Sequence, residues 1–355
     1  MLLAPTANDT RSALADWLEL QALFSARRLS SKGDLLNTLD IADDERLGRF
    51  SYDEETGEEL DQGILDEPRA TLLQNVFEEL EFRSSCLGDS YPFEIDSRRM
   101  VVRATFQVDQ VHFGQAAYTF CLLATALRES KITDLEDLPE TKRELELLFQ
   151  VCACLAAGGY FGGAVSSFGF PRAEGNGFLP ALKLAYARFG HGDVKDVIEA
   201  GHPHAAKDAG IDVIAWRDHP DRLPGKLYSL GQCASGKNWK QKPVSSEIAP
   251  FHGTWFTTSP AVYCVPALYI PFLVHDDLDE PQNDSFERAR ARRVACHERR
   301  FGVIFDRLRI AHHVAACMRM PRVARDAVDG MERVLDVAIW VNKTVGKFVR
   351  RGAQS

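Results

Sequence analysis

The chain has 355 residues, 45% hydrophobic and 26% charged, an ordinary globular composition whose length calls for two domains or one elaborated domain. A net charge of −9 excludes a protein that is basic all over. No run of about 18 apolar residues marks a membrane span, and Met1-Leu2-Leu3-Ala4-Pro5 lacks a signal peptide's basic start, so a cytoplasmic location is expected.

Residues 11–29 carry Leu14, Trp17, Leu18, Gln21 and Phe24 at helical spacing, and 34–39 begin a short helix. The tract 53–67 holds eight acids and no Lys or Arg, which reads as a loop or a solvated helix edge. A helix is expected after Pro68, an extended segment over 91–95, a strand over 99–106 and a buried helix over 113–129. Pro139 precedes a helix predicted to stop at Gly158-Gly159, where a glycine-crowded region marks a boundary. Residues 178–189 then read as an amphipathic helix and 193–200 as a short helical turn. Two apolar strands follow around Asp212 and Gln232, joined by a turn over 218–225. A third extended run covers 266–274, and helical patterns occupy 284–319 and 321–350. The expected organisation is a mainly helical domain over 1–157, a core over 158–283 and Arg-rich helices over 284–355 packed on that core.

The eight cysteines form no C-x-x-C pair and read as reduced thiols. His202 and His204, spaced around Pro203, could serve as ligands on an extended segment but read rather as an exposed loop. His312 and His313, as neighbours on a helix, point different ways and chelate poorly. Between residues 288 and 325 stand eleven arginines against Glu298 and Asp306. Such a segment suits phosphate backbones, or else pairs with acids elsewhere in the fold.

The informative residues are Asp212, flanked by Ile211, Val213 and Ile214, and Gln232, which closes Leu227-Tyr228-Ser229-Leu230-Gly231. A carboxylate in an apolar strand needs a cation, a donor or a metal beside it. Asp and Gln oxygens together suit a hard divalent ion such as magnesium. Strand alternation puts Lys226, Tyr228, Leu230, Gln232 and Ala234 on one face. Lys226 lies roughly 20 Å along the strand from Gln232, too far to share its site.

A helix, then Gly210-Ile211-Asp212 on a strand, then a second strand ending at Gln232 with a lysine close behind, resembles the PD-(D/E)xK, restriction-endonuclease-like nucleases over about residues 172–275. The resemblance implies an α/β fold, with a restriction-endonuclease-like mixed sheet flanked by helices. It also implies a Mg2+ (or Mn2+) cofactor and hydrolysis of DNA phosphodiester bonds. Asp212 and Gln232 would then hold the metal. The chain departs from the family at Ala234, where a lysine is expected, and Lys237 is assigned that role from the following turn, which Gly236 permits. Ile211 stands where the family has proline. A third acid is sought among Glu174, Glu199 and Asp208, with Glu174 preferred because it precedes the 178–189 helix. Arg288, Arg290, Arg292 and Arg293 are the expected nucleic-acid contacts. By the same analogy the chain acts in bacterial phage defence or restriction, with a partner subunit (an ATPase, helicase or sensor) or as a homo-oligomer. No phosphate-binding NTPase loop is present in the sequence. The rival expectations are a non-catalytic assembly or nucleic-acid-binding subunit with a degenerate nuclease fold, and an RNase.

Overall fold

The computed structural model describes residues 2–6, 8–47, 62–106, 112–132, 142–169, 177–197, 209–221, 223–236, 238–274 and 285–352. In chain order these form α1 (Arg11–Phe24), β1 (Leu29–Ser31), α2 (Lys32–Leu47), α3 (Gln62–Leu87), β2 (Phe93–Asp96), β3 (Val101–Ala104), α4 (Phe113–Arg128) and α5 (Lys142–Phe161). There follow β4 (Ala164–Ser167), α6 (Phe178–Phe189), β5 (Asp193–Val194), β6 (Val213–Arg217), β7 (Leu227–Cys233), α7 (Val244–Trp255), β8 (Phe256–Thr258) and β9 (Val265–Tyr269). The chain closes with α8 (Phe286–Phe301), β10 (Val303–Phe305), α9 (Arg307–Met318), α10 (Arg322–Arg325) and α11 (Val334–Gly352).

Among the described residues the main sheet has five strands in the order β10-β9-β7-β6-β4. β4, β6 and β7 pair antiparallel, and β7, β9 and β10 run parallel. The parallel steps are made through helices α7 and α8, as parallel neighbours require. Alternation fixes the two faces. Val213 and Ala215 of β6 join Ala267, Tyr269 and Phe305 in a cluster with α4, α5 and α9. Ile214 and Trp216 join Tyr228, Leu230 and Ala234 in a second cluster with α6, α7 and Phe301 of α8. Helices thus cover both faces of a mixed sheet, which is an α/β architecture. Two smaller sheets, β1-β3-β2 and β5-β8, lie outside it.

Four departures from the sequence expectations have local causes. α5 does not stop at Gly158-Gly159 but runs on to Phe161. Those glycines are contact residues: a Cβ on Gly159 would overlap the His313 carbonyl oxygen, and one on Gly158 would lie 2.8 Å from Val328. They let α5 lie close against α9. Gly162, at φ +66°, turns the chain into β4, an edge strand hidden within the glycine-rich region. Where a helical turn is expected over 193–200, Asp193 and Val194 form strand β5 paired with β8, and residues 198–200 lie outside the described residues. The helical pattern over 284–319 is broken at Gly302, with φ +80°, where β10 pairs with β9 before Asp306 caps α9 by accepting the Arg309 N–H at 3.2 Å.

Gly159→Ala is expected to lower stability by about 1–3 kcal/mol or more, because the obstacle is backbone. Gly253→Ala, on α7 with nothing within 4 Å of its Cβ position, is expected to leave stability unchanged or raise it by roughly 0.5–1 kcal/mol. Urea midpoints of the two variants check the pair.

The amino-terminal helices are not separated from the sheet by any gap in the core. One apolar cluster runs from α1, α3 and α4 through α5, α9 and α11 to the β6–β9 face, and α5 itself crosses residue 157. A buried ionic network ties the same elements together. Arg83 of α3 pairs with Asp16 at 2.7 Å, Glu19 at 3.1 Å and Glu79 at 3.0 Å. Arg307 at the start of α9 grips Asp16 through both carboxylate oxygens at 2.7 and 2.8 Å. The Tyr91 and Tyr118 hydroxyls donate to Glu19. Among the described helices, one within α5 (Arg143–Phe161) is long and apolar enough to cross a membrane, with mean hydropathy 1.3, and 67% of that window is buried in this core.

Candidate functional site

Asp212 and Gln232 are brought together at one end of the main sheet. β6 and β7 pair antiparallel from Val213 opposite Gly231, which places Asp212 just before β6 and Gln232 near the end of β7. The Asp212 main chain is held on both sides. Its N–H donates to the Gly231 carbonyl at 2.8 Å, and its carbonyl accepts the N–H groups of Phe168 at 2.7 Å and Gly169 at 3.0 Å. Its carboxylate is held as well: Oδ2 accepts the Cys233 N–H at 2.7 Å. The carboxylate is therefore fixed one residue along from Gln232. The Gln232 Oε1 is buried and takes no hydrogen bond from the described residues. A buried amide oxygen without a donor costs about 1–3 kcal/mol, so it is an acceptor in want of a positive partner.

The other Asp212 oxygen, Oδ1, faces Gly169 and Gln150 of α5. A Cβ on Gly169 would lie 2.5 Å from Asp212 Oδ1 and 2.7 Å from both amide atoms of Gln150. Glycine at 169 thus leaves room for the Asp212 carboxylate and the Gln150 amide to lie close to one another. Gln150 is 8% exposed and donates its Nε2 proton to the Ser167 hydroxyl at 2.7 Å. It was not among the residues expected from sequence. The signal was there, a single amide in the apolar run Leu147-Leu148-Phe149-Gln150-Val151, the same oddity that marks Asp212 and Gln232.

The end of β4 is clamped beside them. Asp329 accepts the Ser167 N–H at 2.9 Å and pairs with Arg188 of α6 at 2.8 Å. Two thiols lie near these acids. Burial pushes the Cys233 thiol well up, and Asp212 raises it further while Lys242 works against both. Burial likewise raises Cys154, with Asp329 and then Asp212 adding to it. Both thiols stay protonated, so neither supplies a thiolate. Lys242, half-buried and directly after the Trp239–Gln241 turn, is a described cation whose charge acts on Cys233 at this strand end.

Other expected residues stand apart or fall elsewhere. Lys237 and Glu174 lie outside the described residues, as do Glu199, Asp208, His202 and His204. Lys226 is 7% exposed, donates to the Phe189 carbonyl and pairs with Asp218 at 2.7 Å, away from Asp212. Arg290 is corrected: it is 7% exposed, pairs with Glu79 at 2.5 Å and stacks 3.4 Å over the Phe82 ring. It joins α8 to α3, with its guanidinium committed to Glu79 and the Phe82 ring. Arg288 and Arg292 are exposed and Arg293 is half-buried. With Arg299, also exposed, Arg288 and Arg292 form one stripe along α8 at i, i+4 and i+11.

Among the described residues no three His, Cys, Asp or Glu side chains group as metal ligands. A divalent ion held here would therefore rely on Asp212 and on neutral amide oxygens, Gln232 Oε1 first. That oxygen is buried and, among the described residues, without a donor, and its residue is the neighbour of Cys233, whose N–H the Asp212 carboxylate accepts. A scan against protein-family models, a search of curated proteins and a search of solved structures each find no match to this chain.

Proposed function

We propose that this chain is a divalent-metal-dependent nuclease that hydrolyses DNA phosphodiester bonds, built on a restriction-endonuclease-like core. The observation that carries the reading is a buried Gln232 oxygen, without a donor among the described residues, at the same strand end as the Asp212 carboxylate. The consecutive β4-β6-β7-β9 order supports it, because it sets the two expected ligand strands side by side with helices on both faces. Asp212 and Gln232 would hold Mg2+ or Mn2+, which when bound acidifies a water and neutralises charge on the phosphoryl oxygens. The chain's own residues do the rest. The Cys233 N–H orients the carboxylate, Gly169 makes room for it beside Gln150, and the Arg288, Arg292 and Arg299 stripe attracts a phosphate backbone. In this reading Lys237 supplies the ammonium that stabilises the developing charge. A phage-defence setting, with a partner subunit or a second copy, belongs to the same proposal by analogy alone.

Lys237→Ala is expected to lose cleavage of plasmid DNA, by roughly 10²-fold or more. Lys226→Ala is expected to melt earlier, having lost its Asp218 pair, yet to keep most of its cleavage per folded molecule. Cleavage rates in magnesium, with EDTA as the blank, decide it. The opposite ranking removes Lys237 from the site.

One observation favours a second reading, a non-catalytic nucleic-acid-binding subunit. Asp212 already has a structural task as acceptor of a strand-end N–H, and Ala234, where the nuclease family has lysine, is fully buried. DNA binding by wild type without magnesium-dependent cleavage would favour that reading, and parallel RNA substrates separate an RNase.

A further inference from the structure

A cavity of about 610 Å³ opens at the carboxyl ends of the parallel strands β7 and β9. Its walls come from Gly236 after β7, Phe272 after β9, the last turn of α4 and the first turn of α1. In open α/β sheets this is where ligands settle, outside the carboxyl ends of the strands. The volume falls in the range of small-molecule sites, about 300–1,000 Å³.

The lining has the chemistry of an anion site with an apolar wall. Three cations, Arg128, Lys131 and Lys240, face two acids, Asp9 and Glu129. Both acids are engaged: Asp9 accepts the Thr6 N–H at 2.8 Å, and Glu129 pairs with Lys131 at 2.8 Å. Arg128 is different. Its Nε is buried with no acceptor among the described residues, and burial pulls its pKa down although the charge of Glu146 works against that. A half-buried guanidinium with an unanswered donor wants an oxyanion, and a phosphate matches its fork. Thr10 and Ala13, at the amino end of the 14-residue α1, line the same cavity and add the positive end of the helix dipole. Beside Lys240, whose ammonium lies 5.6 Å from the Trp239 ring centroid, the half-buried Phe272 ring leans on Trp239 with centroids 5.8 Å apart. A flat heteroaromatic base suits that wall.

We propose that this cavity binds a phosphorylated nucleoside, free or at the end of a strand, with Arg128 and Lys240 on the phosphate and the base against Phe272. Neither Asp212 nor Gln232 lines this cavity, and its occupancy does not require that pair to be catalytic.

Calorimetric titration of the full chain in EDTA tests the assignment without hydrolysis. The probes are AMP, GMP, CMP and UMP, their nucleosides, inorganic phosphate, and tetranucleotides with and without a 5′-phosphate. At least one mononucleotide or the 5′-phosphorylated strand should bind about 10-fold or more tightly than its unphosphorylated form and than inorganic phosphate. A mononucleotide that binds identifies a free ligand, and binding by the phosphorylated strand alone identifies a strand end. Arg128→Ala should weaken binding by about 10-fold and the exposed Lys240→Ala by about 3-fold, with Arg98→Ala, on the distant β2–β3 turn, unchanged. Equal binding of phosphorylated and unphosphorylated forms, inorganic phosphate binding as tightly as the nucleotides, or wild-type affinity in both Arg128→Ala and Lys240→Ala would overturn the proposal.

Discussion

Asp212→Asn should lose plasmid cleavage by roughly 10²–10³-fold or more while leaving the fold in place. The asparagine oxygen can still accept the Cys233 N–H that Asp212 Oδ2 accepts at 2.7 Å, so the strand end stays capped. The side-chain volume is nearly unchanged, which suits a position where Gly169 and Gln150 crowd Oδ1. Only the charge is removed, and a divalent cation held by one carboxylate and neutral amides depends on that charge. The variant therefore separates the two tasks of Asp212. If its role is to cap β7, Asp212→Asn behaves as wild type in both melting and cleavage. If it holds a metal, melting is preserved and cleavage is lost. Asp212→Ala would blur this distinction, because it also leaves the Cys233 N–H without its acceptor.

Arg83→Met should destabilise the chain by about 3–5 kcal/mol, enough to unfold a marginal protein at physiological temperature. Arg83 is fully buried and serves Asp16, Glu19, Glu79 and the Ser12 carbonyl and hydroxyl. Its removal leaves three buried carboxylates with fewer partners. Burial pushes the Asp16 carboxyl up, but Arg307 and Arg83 together outweigh it and hold it well below the usual range. Burial dominates at Glu19, whose carboxyl stays raised despite Arg83, with Asp16 adding to the rise. Loss of Arg83 strips a compensating charge from both. A surface arginine truncated in parallel, Arg99→Met, should cost less than about 1 kcal/mol, since its pair with Asp96 is exposed and 3.8 Å long. Denaturant unfolding of both variants gives the comparison. An Arg83→Met chain as stable as Arg99→Met would mean that the network contributes nothing to joining α1 and α3 to α9.

The strands that carry the candidate site were legible because strand alternation survives burial. Val213 and Ala215 face one core cluster, Ile214 and Trp216 the other, and Tyr228, Leu230 and Ala234 share the face read for them. α4 and α6 were legible for the same reason at helical period. What failed was reading glycine as punctuation. Gly158 and Gly159 are close-approach residues inside a helix, and the true terminator, Gly162, was masked by its neighbours. β10 was missed because three residues between two helices carry too little pattern to declare a strand, although Gly302 and Asp306 bracket them as a stop and a cap. The arginines mislead most. Arg290 and Arg307 look like part of a basic surface, yet each is committed inside the fold to a buried acid more than 200 residues away in sequence. Charge counting along the chain cannot show that, because the partners are defined only by the packing. Gln150 escaped notice although the criterion that selected Gln232 applies to it equally.

The most direct test of the shared-cation account is anomalous scattering from crystals of the wild-type chain soaked in manganese. The account predicts one peak within coordination distance of both an Asp212 carboxylate oxygen and Gln232 Oε1, about 2.0–2.3 Å from each, and its disappearance in Asp212→Asn crystals. A map with no peak between those side chains, or with manganese held only by other residues, would contradict it.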